Sequence, residues 1–300
     1  MLAIVIPYYK KKYFRKTLDS LAYQTDKKFK VYIGDDNSPE LPHDLINEYS
    51  NKLNLEYFRF DDNLGSISLV KQWNRCLEFV KNEQWVLILG DDDILEKNVV
   101  EEFYKNLKTI QELDIKVIRY STVKIDEFGN KTSKLYINKK LETSLDFFFN
   151  KNRSSLSEYV FQKETLDAIG FKDLPLAWHS DQLAVMEISN FSLVYTINDA
   201  TIKIRISKDS ISGSETLYNN KLKASFKFYY YLIEKYFQKF NEHQLSILSN
   251  RLNKTYINSK FKIIRFILII YLYFRKAMLS HIKLFFNQIS RNILNKPLNA

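Results

Sequence analysis

The run Trp85-Val86-Leu87-Ile88-Leu89-Gly90-Asp91-Asp92-Asp93-Ile94-Leu95 constrains this chain more than any other stretch. Apolar residues in unbroken succession, closed by a glycine, predict a strand buried on both faces. Three carboxylates then fall at its carboxyl end, where neighbouring like charges repel. A divalent cation would relieve that repulsion, because Mg²⁺ and Mn²⁺ take carboxylate oxygens and share their coordination sphere with phosphates. The plainer alternative is an acidic turn opening a helix near Glu96, since Asp favours helix starts.

The preceding residues supply the frame. Residues 2–7 read as a first strand, 13–23 as a helix, and 29–34 as a second strand running into Asp35-Asp36-Asn37-Ser38. A helix over 41–53, a strand over 55–60, the turn Asn63-Leu64-Gly65 and a helix over 66–80 follow. Strands and helices alternating at this spacing predict an α/β domain with a largely parallel sheet. Ligands of such sheets bind beyond the carboxyl ends of the strands, so the two acidic clusters should face one crevice. A polar turn remains the alternative for Asp35 to Ser38. The chain has six glycines, none close to another, so no glycine-rich phosphate loop is present. Phosphates of a bound nucleotide would have to be held by a metal and by side chains.

Taken together, Ala3-Ile4-Val5-Ile6-Pro7-Tyr8-Tyr9, Asp35-Asp36-Asn37-Ser38, Asn63-Leu64-Gly65 and Leu89-Gly90-Asp91-Asp92-Asp93-Ile94-Leu95 resemble the family 2 glycosyltransferases in order and spacing. The resemblance covers about residues 2–210. It implies a GT-A fold and inverting transfer of a sugar from a nucleoside diphosphate, with Mn²⁺ or Mg²⁺ as cofactor. By the same resemblance Pro7 and Tyr9 line the nucleotide pocket, Asp36 with Asp35 beside it contacts the base, and Asn63 belongs to the donor site. Asp91 would sit by the ribose, and Asp92 with Asp93 would bind the metal. Three departures stand out: Lys10 replaces a frequent Asn, Gly90 replaces the first Asp of the usual acidic motif, and Trp73 replaces an Arg before Asn74.

Further along, a strand over 115–120, a hairpin over 123–137 turning at Glu127-Phe128-Gly129-Asn130, a helix over 145–149 and a strand over 159–161 are expected. The segment from Ile169 to Gln182 resembles the acceptor side of the family, which makes Asp181 the catalytic base; a helix cap is the alternative. His179 could be a metal ligand, a sugar contact or neither. Strands over 193–197 and 201–206 bring Arg205, Lys208 and Ser210 to a place where the family closes over the diphosphate.

Charge divides the chain. From His243 onward there are ten Lys or Arg, between Arg251 and Lys296, and no Asp or Glu. The sequence carries 45 basic and 35 acidic residues, so the first 242 residues hold 35 of each and are formally neutral. The expected division is therefore a transferase domain over 1–212, with a donor half at 1–120 and an acceptor half at 121–212, followed by a basic helical extension over 213–300. Helices are expected over 219–240, 243–256 and 259–294. The centre of the last, Phe266 to Phe274, is too short to span a bilayer. It could pack on the domain, form a homodimer interface, or lie on an anionic membrane surface. No nucleic-acid motif accompanies the basic residues. A single cysteine, Cys76, rules out an internal disulfide. With no leader-like start, the expected location is the cytoplasm, peripheral to the inner face of the membrane, acting on a glycan or lipid-linked acceptor. The rivals from the residues alone are a metal-dependent nucleotidyltransferase or phosphohydrolase, and a non-catalytic membrane-bound module.

Overall fold

A computed structural model describes residues 1–150, 153–208 and 210–294, and divides into two compact units. The first, Met1–Asp173 with Ser180–Ser214, opens with β1 (Leu2–Tyr8), α1 (Phe14–Ala22), β2 (Phe29–Asp35), α2 (His43–Tyr49), β3 (Leu55–Arg59), α3 (Leu69–Leu77) and β4 (Trp85–Ile88). It continues through β5 (Ile94–Leu95), α4 (Val99–Glu112), β6 (Val117–Ile125), β7 (Leu141–Thr143), α5 (Ser144–Phe149) and β8 (Tyr159–Gln162). The unit ends with α6 (Lys163–Ile169), α7 (Ser180–Ile188) and β9 (Leu193–Arg205).

These strands form one mixed sheet in the order β3-β2-β1-β4-β8-β6-β9-β5, with β7 paired to β9. The β3-β2-β1-β4 half is parallel, as the alternation predicts. β8 is antiparallel to both β4 and β6. β1 sits between β2 and β4 and is solvent-free except near its end, which explains why its sequence is apolar without alternation. In register, Tyr8 lies opposite Asp35 and Val5 opposite Ile88, so β1, β2 and β4 finish together and deliver their acidic ends to one edge. α1 buries Phe14, Leu18 and Leu21, positions at helical spacing, against this sheet's core.

Three expectations change. β9 is one strand rather than two: it runs through Asn198-Asp199, with a register shift opposite Tyr120 and Ser121 absorbing the irregularity. The hairpin after β6 forms its turn, with Asp126 N–H donating to the Asn130 carbonyl. Its polar return arm, however, contributes only bridges at Lys131 and Tyr136. The helix expected over 259–294 is broken in two.

The second unit, Leu174–His179 with Glu215–Ala300, is built on α8 (Tyr218–Tyr236), α9 (Glu242–Asn258), α10 (Ile263–Arg275) and α11 (Leu279–Leu294). Asn241 and Gln244 close a reciprocal capping box that fixes the start of α9. The break between α10 and α11 falls at Ala277, whose φ of 53° is left-handed. That turn buries Met278 and lets Phe285 of α11 reach Tyr256, Phe266 and Tyr273. Lys296 lies outside the described residues.

His179 belongs to this unit. Its ring stacks on Phe228 at 4.6 Å and 8°, and its Nε2 lies 2.9 Å from the Ser225 hydroxyl. Its surroundings are thus those of a packed, hydrogen-bonded ring on α8.

One close approach inside the sheet can be tested. A Cβ on Gly34 would lie 2.3 Å from the Cys76 sulfur, which is fully buried on α3. Gly34→Ala should cost about 1–3 kcal/mol, the usual penalty of overpacking. In a Cys76→Ala background the same change should cost clearly less, as read from urea denaturation midpoints; equal penalties in both backgrounds would contradict this packing.

Candidate active site

The joint ends of β1, β2 and β4 open on a cleft of about 470 Å³. Pro7, Tyr9, Asp36, Asn63, Asp91 and Asp92 lie on its wall. The sequence-predicted donor and metal residues are therefore brought together, with three exceptions, Asp35, Asp93 and Arg205, described below.

Asp36 is fastened on several sides. Its carboxylate accepts the N–H groups of Leu64 and Gly65, both at 2.9 Å, and bonds the Arg75 guanidinium. Burial raises its proton affinity, and the Gly65 and Arg75 contacts oppose that rise. A Cβ on Gly65 would fall 2.4 Å from Asp36 Oδ2, so a side chain here would displace the carboxylate. Arg75 also holds Asp62 and Gln72, and stacks on Phe60 at 3.8 Å. The family resemblance seeks an arginine just before Asn74; the structure supplies one just after it.

Asp35 turns inward. It accepts from Ser38 N–H at 2.7 Å, Tyr57 hydroxyl at 2.6 Å and Arg59 at 2.8 Å, and is fully buried. Its carboxylate is occupied in joining β2, β3 and the turn that presents Asp36.

The three acids after β4 are held very differently. Asp91 Oδ2 accepts the backbone N–H groups of Tyr9 and Lys10, each at 2.8 Å, tying the end of β1 to the end of β4. Asp93 is 5% exposed; it accepts from Ser157 Oγ at 2.6 Å and Arg205 N–H at 2.8 Å. The Asp92 carboxylate has no hydrogen-bond donor from another described residue, and it faces the cleft. Burial pushes Asp91 up to about 6, and pushes Asp92 up as well, with the charges of Asp93 and Asp91 adding to it. Gly90 precedes them for a spatial reason: a Cβ there would stand 3.1 Å from both Asp92 Oδ1 and Asp93 Oδ2.

Arg205, the third exception, is buried rather than on the cleft wall. Its Nε donates to the Asp92 carbonyl at 3.0 Å and its Nη1 to the Asp126 carbonyl at 2.6 Å, while its plane covers Tyr13 at 4.3 Å. Its Nη2 has no partner among the described residues. Cations do reach the cleft, through Lys10 and Lys12, whose signal in the sequence is the basic run directly after strand one. Ser207, Ser210 and Ile211 close the wall from beyond β9.

Asp181 stands in the first turn of α7, and its Oδ2 accepts from Ser154 Oγ at 2.8 Å. Ser154 Oγ also lies 2.8 Å from the Tyr159 hydroxyl. Three residues further on, Ser157 bonds Asp93 and accepts the Gly90 N–H at 3.0 Å. One short segment thus touches both Asp93, next to the cleft residue Asp92, and Asp181, and three residues span at most about 10 Å. Within that segment Glu158 is pushed up to about 7, chiefly by burial, although Arg153 lies 2.7 Å away. None of these segment residues stood out in the sequence, where serine and arginine before an ordinary strand carry no pattern.

The model of the family described as Glycosyl transferase family 2 matches residues 3–162. The chain belongs to that family. It is a glycosyltransferase, and its mixed sheet with one parallel half is the GT-A fold. Solved structures of S. aureus TarS are similar to it. The complex of TarS 1–349 with UDP-GlcNAc matches at TM-score 0.64 and 20% identity, over 90% of this chain and 79% of that one. The complex of the same fragment with UDP matches at 0.60 and 19%, over 85% and 71%. Against the longer TarS structure the match, also 0.60 and 19%, spans only 43% of that chain. No curated protein sequence matches the chain.

A divalent cation fits this glycosyltransferase site in one way. Among the described residues no group of three or more ligating side chains could hold a metal alone. Asp92 offers one open carboxylate beside crowded negative charge, which suits a cation that takes its other ligands from phosphate and water.

A carboxyl whose folded pKa lies above its unfolded value, about 3.9, gives stability that is complete below that value and lost as pH climbs through the folded pKa. Without added cation the melting temperature should therefore fall as pH rises from about 4 through 6 and beyond. Asp92→Asn should flatten this fall and remove the stabilisation by Mn²⁺. An unchanged Mn²⁺ shift in the variant would overturn the assignment of Asp92.

Proposed function

We propose that this glycosyltransferase moves a sugar from a nucleoside diphosphate donor to a hydroxyl acceptor, inverting the anomeric carbon. The acceptor we infer is a glycan or lipid-linked saccharide of a cell-surface polysaccharide. The observation that carries the reading is the segment around Ser154 and Ser157, which links Asp181 to Asp93 in the acidic turn at the donor cleft.

In this reading Asp36, Pro7, Tyr9 and Asn63 receive the nucleoside, and Asp91 keeps Tyr9 in position through its backbone bonds. Lys10 and Lys12 face the diphosphate from the cleft wall. A bound divalent cation would be held by Asp92, with Asp93 behind it, and would neutralise charge on the departing diphosphate. Asp181 takes the proton from the acceptor hydroxyl while that oxygen attacks the anomeric carbon. The bond from that carbon to the phosphate oxygen breaks on the opposite face, and its electron pair leaves with the nucleoside diphosphate. A single displacement inverts the centre without a covalent intermediate. Ser154 acts as a positioning residue, orienting the carboxylate through its hydrogen bond. The UDP-GlcNAc seen with TarS supports a nucleotide-sugar donor here and leaves its identity to a panel of donors.

Asp181→Asn should lose transfer by about 10² to 10⁴-fold while still binding donor. Ser154→Ala should lower kcat by about tenfold, the worth of a hydrogen bond to a charged group, with KM little changed. Product release followed with a donor panel, and the anomeric configuration read by NMR, decide the reading. Retained configuration, or normal turnover by Asp181→Asn, would refute it.

A further inference from the structure

The apolar residues of α10 do not all go into its own unit's core. Ile269, Leu272 and Tyr273 are buried, but Ile264 is 70% exposed, Ile267 58% and Phe274 73%. Ile263, Leu268 and Tyr271 are exposed beside them. At about 100° per residue these six positions share one continuous arc of about 140°. An arc that broad and that apolar is the width of a core-facing stripe, yet it looks away from the core. Leu279, Leu284 and Phe286 on α11 are exposed as well.

Cations bracket the stripe. Lys260 and Lys262 precede α10, Arg275 and Lys276 follow it, and Lys283 and Arg291 lie on α11. No acidic residue occurs after Glu242. Arg275 reaches Glu234 on α8 at 3.0 Å. The helix itself is about 20 Å long at 1.5 Å per residue, short of the roughly 30 Å of a hydrocarbon core. Among the described residues no helix is long and apolar enough to cross a membrane.

We propose that this face of α10 docks on an anionic lipid bilayer, with the helix lying in the plane of the headgroups. Charge separates the bilayer from a second copy of the chain as occupant. A two-fold dimer would set this patch against itself and bring its bracketing cations together without acids from the same segment. Anionic headgroups complement those cations while the Ile and Phe side chains enter the acyl boundary. The surface is independent of the catalytic reading, and so is its test.

Full-length protein should sediment with phosphatidylglycerol vesicles, bind phosphatidylcholine vesicles at least about tenfold more weakly, and lose part but not all of its binding as salt rises. Ile264→Glu with Ile267→Glu, at exposed positions, should keep the melting temperature and donor binding while reducing vesicle affinity by about tenfold or more. Lys276→Gln with Lys283→Gln should instead blunt the salt dependence. Full-length protein that stays in the supernatant with anionic vesicles would overturn the proposal. So would equal sedimentation of the Ile264→Glu/Ile267→Glu variant, or a salt-insensitive dimer that this variant dissociates.

Discussion

Carboxylates can be crowded at a strand end only if the surrounding structure supplies donors to hold them or leaves one open to a cation. The turn after β4 does both. Backbone N–H groups from the end of β1 hold Asp91, and a serine and a main-chain N–H hold Asp93. The hydroxyl of Thr17 on α1 donates to the carbonyls of Asp91 and Asp93. Arg205 draws in the Asp92 carbonyl from the end of β9. Elements spread over almost two hundred residues of chain converge on these three residues, and their convergence shapes the cleft. Of the three, Asp92 alone has a carboxylate without a donor from another described residue.

The same arrangement explains what the sequence made legible. β1 and β4 are apolar without interruption because each is covered on both faces, and that pattern needs no tertiary information to be read. The meeting of Asp36 with Asp91 and Asp92 follows from parallel strands ending in register. What could not be read are contacts set by side-chain reach. Asp35 and Asp36 look equivalent as neighbours, but the alternation of a strand turns one inward to Tyr57 and Arg59 and the other toward the cleft. Arg75 finds Asp36 across the turn after β3, although nothing in its local pattern distinguishes it from an exposed helix arginine. The bulge that keeps β9 whole through Asn198-Asp199 depends on its partner β6, and the left-handed turn at Ala277 on the packing of Phe285.

Separation of labour between the two units is chemical as well as spatial. The first unit's ionic groups nearly balance, 30 basic against 32 acidic, and many are drawn into long-range bonds. The second carries an unmatched surplus of cations around apolar side chains that its own core leaves uncovered. A chain selected only for a packed helical appendage would gain nothing from an outward row of isoleucines, which makes the composition of α10 informative in itself.

The one thiol of the molecule has a use of its own. Cys76 lies beneath Gly34 at the root of the turn that carries Asp36, and the Gln72 amide beside it donates to the Gly34 carbonyl. Burial pushes the thiol up to about 12, so the reactive thiolate is scarce while the structure is closed. Chemical labelling of the protein therefore clocks the opening of the parallel half of the sheet directly, at a natural reporter, with no engineered probe. A donor that tightens this half would lengthen that clock by the factor its binding supplies.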